Sequence, residues 1–513
     1  MTAFRLYLKY AGVVLALLLA QNMSANGIQV SDTRPILDRN NSGEFIISFD
    51  LQWNNSWYQP DAPPYNHDAA WVFAKYRLNE GDWQHFPVDA VGSTPANATV
   101  ELRTGVGALV YRADAGSGPV AYDDLQLVWT PATRPWSRSD QVEVQVFAVE
   151  MVYVPEQAFT LGNQKGSVED KETWVFRDGG STASGFEVTS EAALPVGTNA
   201  GELDYVAGKS GDNLGPIPAA FPKGYAAFYC MKYELTQGQW VAFFNSLTPA
   251  QQLARDVTDP SGKATDGVLY RNAVSFTEGG EATTTLPRVP MGYLSHYDGL
   301  AYLDWAGLRP MTELEYEKAC RGPEAPVVSG FAWGTDEVNL TSTYLLQDAD
   351  TDNETITPAT LDLLGNAVHG GDRDDDYPLQ TIIATFQSAG PLRAGVFAAT
   401  LPLLNSRTAS GASYYGIMEL SGNLAEAAYN VGTPLGRSFG GSHGDGNLTA
   451  TGEADVTDWP VGAGIGLRGG WYDSDWTFLM TADRTWAADN PKTTDNDDPN
   501  ERLPYVQFRG IRE

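Results

Sequence analysis

The chain has 513 residues, 42% hydrophobic and 19% charged, the balance of a globular protein long enough for two or three domains. Asp and Glu total 64 against 33 Lys and Arg, a formal net charge of −31. That charge excludes nucleic acid as the main partner and adsorption to anionic lipid, because both need clustered cations. The two cysteines, Cys230 and Cys320, exclude a disulfide-dense scaffold and a four-cysteine zinc site, and no two of the five histidines stand at helical metal-pair spacing. An acidic surface suits divalent cations that take oxygen ligands, calcium above all.

Residues 1–25 carry Arg5 and Lys9, then an apolar run from Ala11 to Ala20, then Ser24-Ala25. This order of charge, apolar run and small residues predicts a secretory signal peptide, with the run too short for a comfortable membrane span. The mature protein is therefore expected outside the cytoplasm, extracellular, on the cell surface or periplasmic, without membrane insertion.

Residues 26–148 alternate in short runs such as Phe45–Trp53, Ala70–Tyr76, Leu125–Trp129 and Val142–Ala148, separated by Gly, Pro, Asn and Asp. Period two with aromatic and β-branched residues predicts strands, and many short strands predict an all-β sandwich. The stretch from Trp53 to Asp68 is a polar and aromatic loop. Its Trp53, Trp57, Tyr58 and Tyr65 are candidate ligand contacts, able to stack on a sugar or grip a partner chain. The alternative places Trp53 and Trp57 in the core and rim of the sandwich.

From residue 149 the texture changes. Met151–Gly162 reads as strand, turn and strand, and the Gly-, Ser- and Asp-rich residues 163–217 as a surface insertion. Tyr225–Leu235 reads as a strand. Thr236 with Gln239 predicts a capped helix bearing Trp240, Phe243 and Phe244, a second helix is expected over about 296–306, and Thr312 with Glu315 opens a third. Loops follow, including a long one over 345–410. Together these features predict an α+β domain over 149–513, behind the sandwich.

Several segments of this region, in order, carry a resemblance: Met151-Val-Tyr-Val-Pro155, Tyr233-Glu-Leu-Thr236, Ser295–Tyr302, Trp305-Ala-Gly307, Thr312–Glu317, Ala332-Trp-Gly334, Gly416–Asn423 with Glu426, Arg468-Gly-Gly-Trp471 and Phe508-Arg509. The set resembles the formylglycine-generating enzyme (sulfatase-modifying factor) family, which implies a C-type-lectin-like fold over 149–513. Family oxidases hold copper through a cysteine pair shortly after Arg-Gly-Gly-Ser. Here Arg468-Gly-Gly-Trp-Tyr-Asp-Ser-Asp475 contains no cysteine, and carboxylates do not replace soft thiolates. A second branch holds iron through histidines of a preceding helical domain, whereas the preceding region here is β-rich and His67 and His85 form no such cluster.

The resemblance also implies structural calcium. One loop site would use Asn423 and Glu426 with carbonyls nearby, Leu420 and Gly422 among them. A second would use Asn339, the Leu340 carbonyl and an aspartate among Asp348, Asp350 and Asp352. Gly370–Asp376 is a further acidic candidate. In many family members a cysteine at the Cys320 position bonds the C-terminal strand. Here Gly510 stands at the partner position, and Cys230 lies on a strand expected beside the C-terminus. The resemblance thus suggests either a Cys230–Cys320 disulfide or two buried thiols.

Two function classes follow. The first is a non-catalytic secreted or surface protein that binds a glycan, other surface proteins or its own copies. The second is an enzyme with an altered site in the family's cleft, for which Arg468, Asp473, Asp475, Arg484 and His443 are the available residues.

Overall fold

The computed structural model of the protein describes residues 27–37, 43–137, 139–163, 174–181, 184–205, 208, 210–340, 344–358, 361, 363–371, 390–400, 406–488 and 498–513. The expected signal peptide and residues 372–376 of the acidic candidate Gly370–Asp376 lie outside them.

The N-terminal region forms nine strands: Gln29–Leu37 (β1), Phe45–Tyr58 (β2), Asp68–Leu78 (β3), Gln84–His85 (β4), Ala90–Val91 (β5), Ala98–Arg103 (β6), Gly107–Arg112 (β7), Gly116–Trp129 (β8) and Val142–Val154 (β9). One antiparallel sheet has the order β1-β2-β8-β5. Alternate residues of β2, from Phe45 to Trp53, share an apolar cluster with Ala70, Val72 and Ala74 of β3 and with Ala108 and Val110 of β7, which belong to a second sheet. The other residues of β3, Ala69, Trp71 and Phe73, join a different cluster. This strand is buried on both faces, so Ala70–Ala74 is an unbroken apolar run rather than an alternation.

The later strands are short. Phe159–Leu161 (β10) pairs with Phe186–Val188 (β12), and Arg177–Asp178 (β11) with Leu203–Asp204 (β13). Phe228–Met231 (β14), Arg309–Pro310 (β15), Leu346–Gln347 (β16), Thr355–Ile356 (β17), Ala425–Tyr429 (β18), Ile465–Arg468 (β19), Val506–Phe508 (β20) and Gly510–Arg512 (β21) complete the set.

The second sheet runs β15-β21-β14-β9-β3-β7-β6, with β4 beside β3. It crosses the change of texture at 148/149 without a break. Val142–Val152 of β9 pair with β3, and Met151–Val154 pair with β14. The expected boundary between 26–148 and 149–513 therefore falls inside β9, just before Met151, where pairing with β14 begins. Cys230 on β14 does lie opposite Ile511 of β21, beside the C-terminal strand as expected.

Residues 163–217 are more than a surface insertion. Among their described residues Phe176, Phe186, Val188, Leu203, Tyr205 and Ile217 are buried in the cluster that also holds Trp240 and Phe243. Glycine and serine fill the turns between these few apolar residues, which hides the layer they build.

Helices are Gln237–Phe244 (α1), Pro249–Arg255 (α2), His296–Trp305 (α3), Glu313–Arg321 (α4), Val396–Thr400 (α5) and Arg407–Ser410 (α6). The first four each open on a reciprocal capping box: Thr236 with Gln239, Thr248 with Gln251, Ser295 with Asp298, and Thr312 with Glu315. Helix α4 is buried all round, acids included. Arg468 spans Glu313 at 3.0 Å and Glu317 at 2.8 Å, Arg484 makes two 2.7 Å bonds to Glu313, and Arg309 pairs with Glu315 at 2.6 Å. Buried ion pairs thus tie the glycine-rich C-terminal loops to one helix.

Of the two alternatives, disulfide or buried thiols, the second is found: Cys230 and Cys320 are both free and buried in one apolar cluster. Cys230 Sγ turns to the Met231 carbonyl at 3.6 Å, and the Cys320 thiol meets Tyr316 and Thr481. Each behaves as a small hydrophobe.

Candidate cation enclosure and ligand cleft

The segment Met418–Glu426 reverses direction through left-handed backbone at Glu419, Gly422 and Asn423, with φ of 55°, 87° and 70°. The turn aims Glu419 and Glu426 inward toward Glu234, which lies just ahead of α1. Glu234 accepts the Leu424 N–H at 2.8 Å and the Asn423 Nδ2 at 2.5 Å. Glu426 accepts Arg509 Nε at 2.9 Å, Arg509 NH2 at 2.6 Å and Gln507 Nε2. Glu419 Oε1 accepts the Gly395 N–H at 2.7 Å, while its Oε2 is buried without a hydrogen-bond partner.

Three fully buried carboxylates here face one guanidinium in contact. Burial, reinforced by neighbouring acids, pushes Glu234 well above the usual carboxylate range and Glu419 up to about 7. Burial raises Glu426 too, against the pull of Arg509. The orphaned Glu419 Oε2 is a hard oxygen donor, while the oxygens of Glu234 and Glu426 are taken up by the hydrogen bonds above.

The expected first calcium set overlaps this enclosure only in part. Glu426 belongs to it. Asn423 sits at its edge, its oxygen taken by the Leu392 N–H at 2.8 Å. The Leu420 carbonyl accepts the Tyr316 hydroxyl at 2.6 Å, and Gly422 donates to Gly469 at 2.7 Å. Glu234 and Glu419 were not anticipated, although both stand in the stretches that carry the resemblance.

The residues of the second expected set make hydrogen bonds and ion pairs of their own. Asn339 donates to Asn366 at 2.9 Å and its carbonyl meets His369 Nε2 at 3.0 Å, and Leu340 is largely exposed. Asp350 pairs with Arg271 at 3.2 Å and Asp352 with Arg288 at 3.7 Å, while the Asp348 carbonyl accepts the Thr351 hydroxyl at 2.7 Å. The acidic run is a turn braced by arginines.

Among the described residues, Asp304, Asp445 and Asp455 bring one oxygen each within 4.8 Å. Asp304 accepts the backbone N–H of Asp445 at 3.1 Å and of Asp455 at 2.8 Å, so it staples that loop to α3. The residues available to an altered active site are equally committed. Arg468 and Arg484 share Glu313, Asp475 caps Thr477 at 2.9 Å, and His443 Nε2 accepts the Glu513 N–H at 3.2 Å. No nucleophile and base meet among them.

A cleft of about 500 Å³ opens where the loop between β2 and β3 meets β6, β7, β9 and β14. Tyr58 and His67 bridge the loop's base, and Tyr65 stands on its tip, 52% exposed, with φ of 54°. A large aromatic residue in left-handed backbone is uncommon and marks a constrained position. The His67 ring lies between Tyr111, with centroids 4.3 Å apart, and Tyr153, at 4.9 Å. Its Nε2 shares a 3.0 Å hydrogen bond with the Tyr229 hydroxyl, and burial pushes its pKa down to about 4, leaving it neutral. Tyr111 donates to Glu101 at 2.6 Å, and Arg103 reaches Glu101 at 3.3 Å and the Glu513 carbonyl at 2.6 Å.

Of the four expected ligand contacts, Tyr58 and Tyr65 line this cleft. Trp57 is half-buried, donates to Asn66 at 3.0 Å and faces a separate cleft with Lys232. Trp53 is a core residue, its indole bonded to Asp68 at 2.7 Å, as the alternative reading has it. Tyr111, Glu101, Tyr153 and Tyr229 were missed. Register explains the first two: Thr99 faces Tyr111 and Glu101 faces Leu109, so Glu101 and Tyr111 are diagonal neighbours on one face.

The sequence profile of the sulfatase-modifying factor enzyme 1-like domain matches residues 165–496, well over half of the chain. No curated protein matches it.

Proposed function

The chain belongs to the sulfatase-modifying factor family, and from that premise we propose that it is an exported, non-catalytic member, a calcium-stabilised C-type-lectin-like scaffold for ligand binding or surface assembly. The state of its thiols carries this reading. The family's copper chemistry rests on a thiolate pair, and the only two cysteines here are buried, with burial pushing both thiols far above their usual pKa. The segment that follows Arg468-Gly-Gly470 is instead closed on itself. Ser474 Oγ accepts the Trp471 N–H at 2.9 Å, and the Trp471 ring stacks on Tyr505 at 4.5 Å.

Glu426 of the expected loop site and Glu419, whose Oε2 is buried without a hydrogen-bond partner, would hold the calcium. Bound there, the ion would supply positive charge beside buried carboxylates. Export is supported by the character of residues 1–25, and no helix among the described residues is long and apolar enough to cross a membrane.

The test is direct. A cysteine-containing sulfatase peptide, incubated with the protein, copper and oxygen, is expected to keep its thiol by mass spectrometry. A formylglycine product would overturn the non-catalytic reading.

A further inference from the structure

We propose that the tyrosine-lined cleft is a binding site for a neutral carbohydrate, an inference that rests on the reading of the chain as a binding scaffold. Its walls combine two properties that a sugar ring requires. Phenol faces offer a flat apolar platform for the C–H face of a pyranose, and Tyr65 presents such a face on a loop tip held by Tyr65 N–H to Ala62 and Gln59 N–H to Asn66, both 2.8 Å. Beside them the Glu101 carboxylate and Arg103 guanidinium, 3.3 Å apart, offer an acceptor and donors to neighbouring hydroxyls. The cleft volume of about 500 Å³ lies within the range of small-ligand sites.

Charge and stacking narrow the class. The charges at the cleft are already paired, Glu101 with Arg103 at 3.3 Å and Glu513 with Arg309 at 2.7 Å, so a sulfated or carboxylated sugar finds no unpaired cation among the lining residues, on a chain of net charge −31. An alkylammonium cation would need several free ring faces around it. Here Tyr111 and Tyr153 spend a face each on His67, and a guanidinium stands within the cleft. The same stack, with the His67–Tyr229 hydrogen bond behind it, fixes the rings before any ligand arrives. Such preorganisation favours affinity because little side-chain freedom is lost on binding.

The full chain, lacking only its signal peptide, is titrated calorimetrically with neutral oligosaccharides of glucose, mannose, galactose and N-acetylglucosamine, and with tetramethylammonium as the competing chemistry. Saturable binding of at least one neutral oligosaccharide is expected. Tyr65→Ala, at an exposed position that leaves the fold intact, should weaken it roughly three- to tenfold, and Tyr65→Phe should restore it. Glu101→Gln should weaken it similarly. No binding of any neutral oligosaccharide at 10 mM on the order of a weak site's reach, or binding indifferent to Tyr65→Ala, would overturn the assignment. So would Tyr65-dependent binding of tetramethylammonium alone. Cleavage of the bound sugar, read as new reducing ends, would overturn the non-catalytic reading and leave the cleft assignment standing.

Discussion

Glu419 and His67 show how much chemistry rests on single side chains. The unpartnered oxygen of Glu419 makes calcium binding an experiment on one atom. Calcium at a hundredfold excess over its Kd should stabilise the native state by about 2.7 kcal/mol, read as a melt shifted upward from that in chelator. Glu419→Gln should abolish most of that shift while raising the melt in chelator above pH 7, where the buried carboxyl would otherwise ionise. His67 gives a pH dependence. Its folded pKa of about 4 lies below the ordinary 6.5, so the unfolded chain takes the proton first. The stability this ring contributes is full above pH 6.5 and is lost as pH falls toward 4, by at most about 3 kcal/mol. Urea titrations between pH 4 and 7 should show that slope flattened in His67→Gln.

At the scale of elements, the ion pairs around α4 are the strongest case. Glu313 accepts from both Arg468 and Arg484 and also from the Val431 N–H at 2.8 Å. Glu313→Ala should cost about 3–5 kcal/mol in denaturant unfolding, since it leaves two buried guanidiniums short of a partner. Breaking the exposed Arg34–Asp124 pair should cost no more than about 1 kcal/mol. Elements differ in how plainly the sequence announces them. The capping boxes at Thr236 and Thr312 predict their helices correctly, because a cap is a local hydrogen-bond pattern. The same pattern at Thr248-Pro-Ala-Gln251 marks α2, which went unread because that helix spans two turns and buries only Arg255. The N-terminal strand β2 is legible as period two, and β3 as an apolar run buried on both faces. The layer built by Phe176, Phe186 and Tyr205 is not, because its apolar residues are scattered among turns. Site residues follow the same rule. Tyr58 and Tyr65 are visible as one aromatic stretch, although Trp53–Tyr58 of the expected loop is the end of β2, whereas Glu234, Glu419 and Glu426 influence one another only through long-range folding.

At the scale of the whole molecule, the continuous sheet makes the N-terminal region part of the scaffold. A fragment of residues 149–513 would lose β3, whose Trp71 and Phe73 lie in the main apolar cluster, and would keep only the end of β9. It should therefore fail to fold cooperatively, giving a broad melt and exposed apolar surface that binds a hydrophobic dye. A sharp melt for that fragment would show that the sheet is dispensable at this edge. The cleft shares this dependence, since Tyr153 and Tyr229 come from one side of residue 149 and Tyr58, Tyr65 and Tyr111 from the other.

The strand that spans the change of texture, β9, also bears on descent. A recombination joint at residue 148 would graft half a strand from one lineage onto half from another, and every cross-strand contact along β3 would have to match at once. The two regions are therefore expected to be inherited as one unit, with compensating substitutions on β3 and β9, rather than exchanged as cassettes.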